Sequence, residues 1–120
     1  MNVVYVFVGG GIGSVARFYL SALNINKAEV FWPAGTMLAN LLSCFILGIL
    51  TAKILNDQLH ASAALLLITG FCGGFSTFSS FSYELYLFYQ KGAILSGMVY
   101  IGVSLILGLM LLVLGMKISS

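Results

Sequence analysis

Eight formally charged residues punctuate the 120-residue chain: Arg17, Lys27, Glu29, Lys53, Asp57, Glu84, Lys91 and Lys117. The runs between them are long and apolar. Eight charges are too few to coat a water-facing surface, since an average soluble domain is about one quarter charged and this chain is 7% charged. With 61% of its residues hydrophobic, the chain reads as an all-α integral membrane protein. At about 20 residues per spanning helix, its length accommodates four spans and no soluble catalytic domain.

The net charge of +2 is spread along the chain, so no basic patch points to nucleic acid. Cys44 and Cys72 lie inside apolar segments and share no metal-ligand spacing with the single His60, which argues against a zinc site or a disulfide framework. The first apolar run lacks the basic n-region and the small-residue cleavage site of a signal peptide, and is expected to be the first span.

Apolar runs between polar punctuation place the helices at about residues 3–23, 33–55, 61–88 and 92–116, forming one membrane domain over 1–120. Trp32-Pro33 supplies an interfacial aromatic and a helix-starting proline. The second and third connections are tight, so neighbouring helices are expected as antiparallel hairpins. The third helix is the anomaly. It would extend roughly 42 Å at 1.5 Å per residue, against a hydrocarbon core of ~30 Å. Its middle carries Gly70, Gly73 and Gly74, followed by Ser76 and Thr77. Each interior glycine costs about 1 kcal/mol relative to alanine, so the cluster predicts a helix broken near its middle. Freed carbonyls around Gly73 and Ser76 could bind a cation there, as unwound transporter segments do. The alternative is that the glycines let two helices pack closely.

Orientation follows the Lys/Arg bias of short loops. With four spans, Lys53 and Lys117 fall on one side and Lys27 and Lys91 on the other. The balance predicts insertion both ways up, which permits an antiparallel homodimer, unless Arg17 or another determinant tips it.

Residues 3–16 imitate the strand and G-x-G-x-x-A turn of a dinucleotide-binding unit, but the surrounding spans exclude the βαβ context that motif needs. Gly9 and Gly13 are better read as a small-residue packing face, with Arg17 one turn further along it. An arginine inside a span either snorkels to the interface or lines an aqueous vestibule that draws in anions; Glu84 is its nearest candidate countercharge. Helix two carries Thr36, Asn40, Cys44 and Gly48 at i, i+4 spacing. The Asn40 amide has donors that hydrocarbon cannot satisfy, so it bonds another helix or faces a pore. Residues 75–84 interleave six hydroxyl residues with three phenylalanines. Phe78 and Phe81 share a face flanked by Ser79 and Ser82. Hydroxyls donate to anions with little bulk, and an aromatic ring has a positive edge. Ser96, Tyr100, Ser104 and Gly108 on helix four either extend that donor track or mark close helix packing.

The strings at 10–17 (GGIGSVAR), 35–40 (GTMLAN) and 70–84 (GFCGGFSTFSSFSYE) together resemble the bacterial fluoride channel family, called Fluc or CrcB. The resemblance runs through all four spans in order, and the third string is highly specific. It implies a dual-topology antiparallel homodimer in the bacterial inner membrane, with two fluoride pores and a structural sodium ion on the dimer axis. Phe78 and Phe81 resemble the paired pore phenylalanines and Asn40 the asparagine beside them. Ser79 and Ser82 match the hydroxyl track, and Thr36, Tyr100 and Ser104 its continuation on helices two and four. Arg17 resembles the vestibule arginine and Glu84 the acid near the other end of the path. The sodium is expected on the backbone carbonyls of Gly73 and Ser76. Ser76 and Ser80 stand where the family often has threonine, a change that backbone ligation tolerates.

Fluoride is small and strongly hydrated, so a pore must replace its water with short-range donors without holding it too firmly. Proton-coupled multidrug exporters of similar size need a carboxylate in helix one, where this chain has Arg17. A non-transporting assembly protein would explain the glycine faces but not the hydroxyl and phenylalanine cluster.

Overall fold

A computed structural model describes residues 1–27 and 29–120. Helix α1 (Asn2–Leu20) runs into a 3-10 turn, Ser21–Leu23. A two-residue antiparallel ladder follows, in which β1 (Ile25–Asn26) pairs with β2 (Phe31–Trp32), Ile25 opposite Trp32. Helix α2 spans Ala34–Leu55. The next segment begins as α3 (Ala61–Ala64), continues as a π-helix over Leu65–Cys72 and tightens again into α4 (Gly73–Phe75). Helix α5 covers Phe78–Gln90 and α6 Ile94–Ser119. Among the described residues, four stretches are long and apolar enough to cross a membrane: Asn2–Leu23, Ala34–Leu55, Ala61–Gln90 and Ile94–Ser119.

Glycine governs how these spans meet. Without a hydrophobic drive between helices in lipid, association depends on dispersion and on backbones approaching closely. On α1, a Cβ at Gly9 would overlap the Leu66 carbonyl and one at Gly13 the Phe71 carbonyl; from the other side, one at Gly74 would overlap the Gly10 carbonyl. Helix α1 therefore lies backbone to backbone along the π-helical stretch and α4. Helices α2 and α6 form a second such pair, with Gly48 against the Leu112 carbonyl and Gly115 against the Phe45 carbonyl.

Both tight connections close with the same hydrogen-bond pair. After α2, Gln58 N–H donates to the Lys53 carbonyl and Asp57 N–H to that of Ile54, with Asp57 left-handed at φ 56°. After α5, Ala93 donates to Phe88 and Gly92 to Tyr89, with Gly92 at φ 71°. These are Schellman ends, which satisfy the last helical carbonyls and need a left-handed residue that glycine adopts without penalty.

Gly73 itself is helical (φ −64°, ψ −37°). The two residues after α4 are extended: Ser76 at φ −79°, ψ 158° and Thr77 at φ −152°, ψ 125°. The π-helical stretch, Leu65–Cys72, takes in Gly70, the first glycine of the cluster that marked this span as irregular.

Candidate functional site

Two extended residues inside a span leave backbone groups that hydrocarbon cannot satisfy. The Ser76 N–H still reaches the Cys72 carbonyl within its own span, while Thr77 is met by a side chain from a neighbouring helix. The Thr77 N–H, which a continuous helix would direct to the Gly73 carbonyl, donates to Asn40 Oδ1 at 2.7 Å, while Asn40 Nδ2 donates to the Thr77 carbonyl at 3.2 Å. The Gly74 carbonyl accepts from Arg17 Nε at 3.0 Å. Thr77 Oγ1 caps α5 by accepting from the Ser80 N–H at 3.2 Å. Below the extended pair, the Cys72 carbonyl accepts from both Ser43 Oγ and Ser76 Oγ. Asn40 thus does bond another helix, and it also borders a cavity.

That cavity is a cleft of about 290 Å³ lined by Asn40, Cys44, Ser76, Thr77, Phe78, Phe81, Ser104 and Leu105. Every lining side chain is uncharged. The Phe78 and Phe81 rings lie 6.3 Å apart at 37°. Phe78 is 80% exposed, while Phe81 packs on Tyr100 with centroids 5.0 Å apart. Ser104 Oγ is buried and has no hydrogen-bond partner, alone among the described side chains in this respect. Asn40 has a second amide N–H beyond the one given to Thr77.

Thr36, Glu84 and Tyr100 form a separate buried cluster on the far side of Phe81. Thr36 Oγ1 donates to Glu84 Oε1 at 2.5 Å and the Tyr100 hydroxyl to Glu84 Oε2 at 2.7 Å. Tyr100 is fully buried and Glu84 is 6% exposed. Glu84, the nearest candidate countercharge for Arg17 in the sequence, is held by hydroxyls, and the guanidinium of Arg17 is bonded to Gly74. Arg17 does not line the cleft. Ser79 and Ser82 are exposed on α5, also outside the cleft lining. Trp32, expected as an interfacial anchor, packs edge-on against Phe88 and Tyr100, at 5.8 and 5.6 Å.

The carbonyls of Gly73 and Ser76 suit a hard cation. The N–H groups that would close on them in a continuous helix, those of Thr77 and Ser80, are taken by Asn40 Oδ1 and Thr77 Oγ1. Two carbonyls are too few for a closed shell by themselves.

Sequence comparison supplies what geometry leaves open. A family model described as "CrcB-like protein, Camphor Resistance (CrcB)" matches residues 4–116. The chain belongs to the CrcB family. Among its curated relatives, the Fluoride-specific ion channel FluC of Azobacteroides pseudotrichonymphae genomovar. CFP2 is 43% identical over 115 residues, covering 95% of this chain and 92% of that protein. The FluC of Prosthecochloris aestuarii (strain DSM 271 / SK 413) is 40% identical, covering 98% and 91%. That of Desulfotalea psychrophila (strain LSv54 / DSM 12343) is 38% identical, covering 99% and 92%. With its four spans, this CrcB-family chain is a multi-pass membrane protein.

Two residues of the site, Thr77 and Asn24, escaped sequence reasoning. Thr77 acts through its backbone and as a cap; the T-x-x-S spacing to Ser80 was the available signal. Cys44, already read on the same helix face as Asn40, lines the cleft as a small apolar residue. Asn24 caps α2 from ten residues ahead, accepting from the N–H groups of Gly35 and Thr36 on its Oδ1, an arrangement with no local pattern.

Proposed function

We propose that this CrcB-family chain is a fluoride-selective channel that lets fluoride leave passively across the bacterial inner membrane. In this reading it assembles as an antiparallel, dual-topology homodimer with a broken third span and two pores. The observation that carries it is the unpartnered hydroxyl of Ser104, which sits in one uncharged cleft with Asn40, Phe78 and Phe81. A buried hydroxyl without a partner costs about 1–3 kcal/mol, and an ion that accepts its proton repays that. The relatives, described as fluoride-specific ion channels, support fluoride as the ion.

The cleft suits a small hydrated anion. The Ser104 hydroxyl and the second Asn40 N–H replace lost water as donors, and the edges of Phe78 and Phe81 add weak positive potential. No fixed charge lies in the lining, so the ion is solvated without being trapped. In this reading Tyr100 and Thr36, whose hydroxyl protons are directed at Glu84, stand at the far end of the track. Ser79 and Ser82 are open on α5 for a path completed by a second copy. Gly73 and Ser76 would hold a structural sodium through their carbonyls, where its charge would tie the two copies together.

Efflux from liposomes tests this reading. Purified protein is expected to release fluoride without ATP or a proton gradient, and to release neither chloride nor a cationic dye. Chloride efflux at a comparable rate would overturn it.

A further inference from the structure

Arg17 is placed where it can do something other than attract ions. The half-span over residues 61–75 ends at Phe75, because Ser76 is extended. Its last carbonyls have lost their helical donors and carry the negative end of the helix dipole. Of these, Gly74 points its carbonyl at α1, where Gly9 and Gly13 bring the two backbones into contact and Arg17 follows one turn later on the same face. The bond is made by Nε, the nitrogen nearest the backbone, and not by the terminal nitrogens that would reach toward a solute. A basic side chain on the last carbonyls is a recognised helix C-cap; here it arrives from another helix.

We propose that Arg17 is a positioning residue that caps the 61–75 half-span in trans, holding Ser76 and Thr77 extended so that Asn40 can engage Thr77. Arg17 and Asn40 thus clamp the extended pair from α1 and α2 respectively. The inference depends on the channel reading only for its transport arm.

The side-chain inventory supplies a crossed test. Glutamine carries an N–H donor at the position of Arg17 Nε and has no charge. Lysine keeps the charge but puts a methylene there. Methionine has the length and neither property. Cys72 reports on the clamp independently of transport: it is 4% exposed and lies directly under the extended pair, its carbonyl holding Ser43 and Ser76. The measurement is N-ethylmaleimide labelling of Cys72 in detergent, read by peptide mass mapping so that Cys44 is scored separately.

With Arg17→Gln, labelling of Cys72 is expected to stay within about threefold of the unmodified chain, and with Arg17→Met to rise about tenfold or more, the scale of one lost hydrogen bond from a charged group. Arg17→Lys should resemble Arg17→Met. In liposomes, Arg17→Gln should keep its maximal fluoride flux, and Arg17→Lys should lose it at every fluoride concentration. Equal labelling of the Gln and Met variants would overturn the cap. So would an Arg17→Lys protein matching the unmodified chain while Arg17→Gln needs more fluoride to reach the same flux, the pattern of an electrostatic attractor. If the unmodified protein passes no fluoride, the channel reading fails and the labelling comparison alone decides the clamp.

Discussion

Asn40 and Thr77 are joined by two hydrogen bonds, Thr77 N–H to Asn40 Oδ1 at 2.7 Å and Asn40 Nδ2 to the Thr77 carbonyl at 3.2 Å. The amide does for one extended residue what an adjacent strand would do. Asn40→Ala removes both partners and leaves two backbone groups unpaired, each costing about 1–3 kcal/mol. Its thermal unfolding temperature in detergent should fall, and fluoride flux with it. Asn40→Asp retains the acceptor and loses the donor, so its stability should lie between the two. An Asn40→Ala protein as stable as the unmodified chain would mean that the pair holds nothing.

Ser104 gives the opposite signature. Its hydroxyl has no partner among the described residues, so Ser104→Ala should leave the unfolding temperature unchanged or raise it. Flux should nevertheless drop severalfold, because a donor to the ion is gone. Unchanged flux would remove Ser104 from the path.

The two phenylalanines should separate packing from conduction. Phe78 is 80% exposed, so Phe78→Ile should leave stability within about 0.5 kcal/mol of the unmodified chain, as surface changes usually do. Phe81 packs on Tyr100 with centroids 5.0 Å apart, and Phe81→Ile should lose roughly the 0.5–1.5 kcal/mol that such ring pairs contribute. Both should cut flux, since isoleucine lacks a positive ring edge. Full flux from both would leave the rings as packing alone.

Topology can be driven by charge. Lys53 and Lys117 on one side balance Lys27 and Lys91 on the other, and added C-terminal charges can flip a membrane protein. Three or four lysines appended after Ser120 should fix the C-terminus in the cytoplasm and abolish flux by denying each copy its inverted partner. Co-expression with a Glu29→Lys, Gln90→Lys chain, biased the other way, should restore it. Full activity from a single labelled orientation would mean that the working assembly is parallel or monomeric.

The spans were legible because burial in lipid leaves a compositional record: charges at the ends, apolar runs between. The glycine face at Gly9 and Gly13 was legible for a related reason, since only small residues permit that backbone approach. Asn40, Phe78, Phe81 and Ser104 stood out as polar or aromatic residues at helical spacing, and the fold gathers them in one cleft. What stayed hidden depends on partners distant in sequence. Nothing local says that Arg17 donates to a carbonyl 57 residues away, or that Glu84 is held by Thr36 and Tyr100. The π-helical geometry of residues 65–72, which lie against Gly9 of α1, was not read either.

Helix α2 begins after Pro33 with no side-chain cap of its own; Asn24 takes that part through the N–H groups of Gly35 and Thr36, and its Nδ2 also donates to Thr36 Oγ1, which in turn holds Glu84. The short ladder from Ile25 to Trp32 sets how far Asn24 lies from that helix end. The first connection is therefore a lever arm rather than a spare loop. A single residue inserted between Asn26 and Phe31 would shift the ladder register, swing Asn24 off the helix and loosen a carboxylate in the middle of the protein. Epitope tags and reporter fusions do not belong in this connection, and homologous loops of different length will need a different cap.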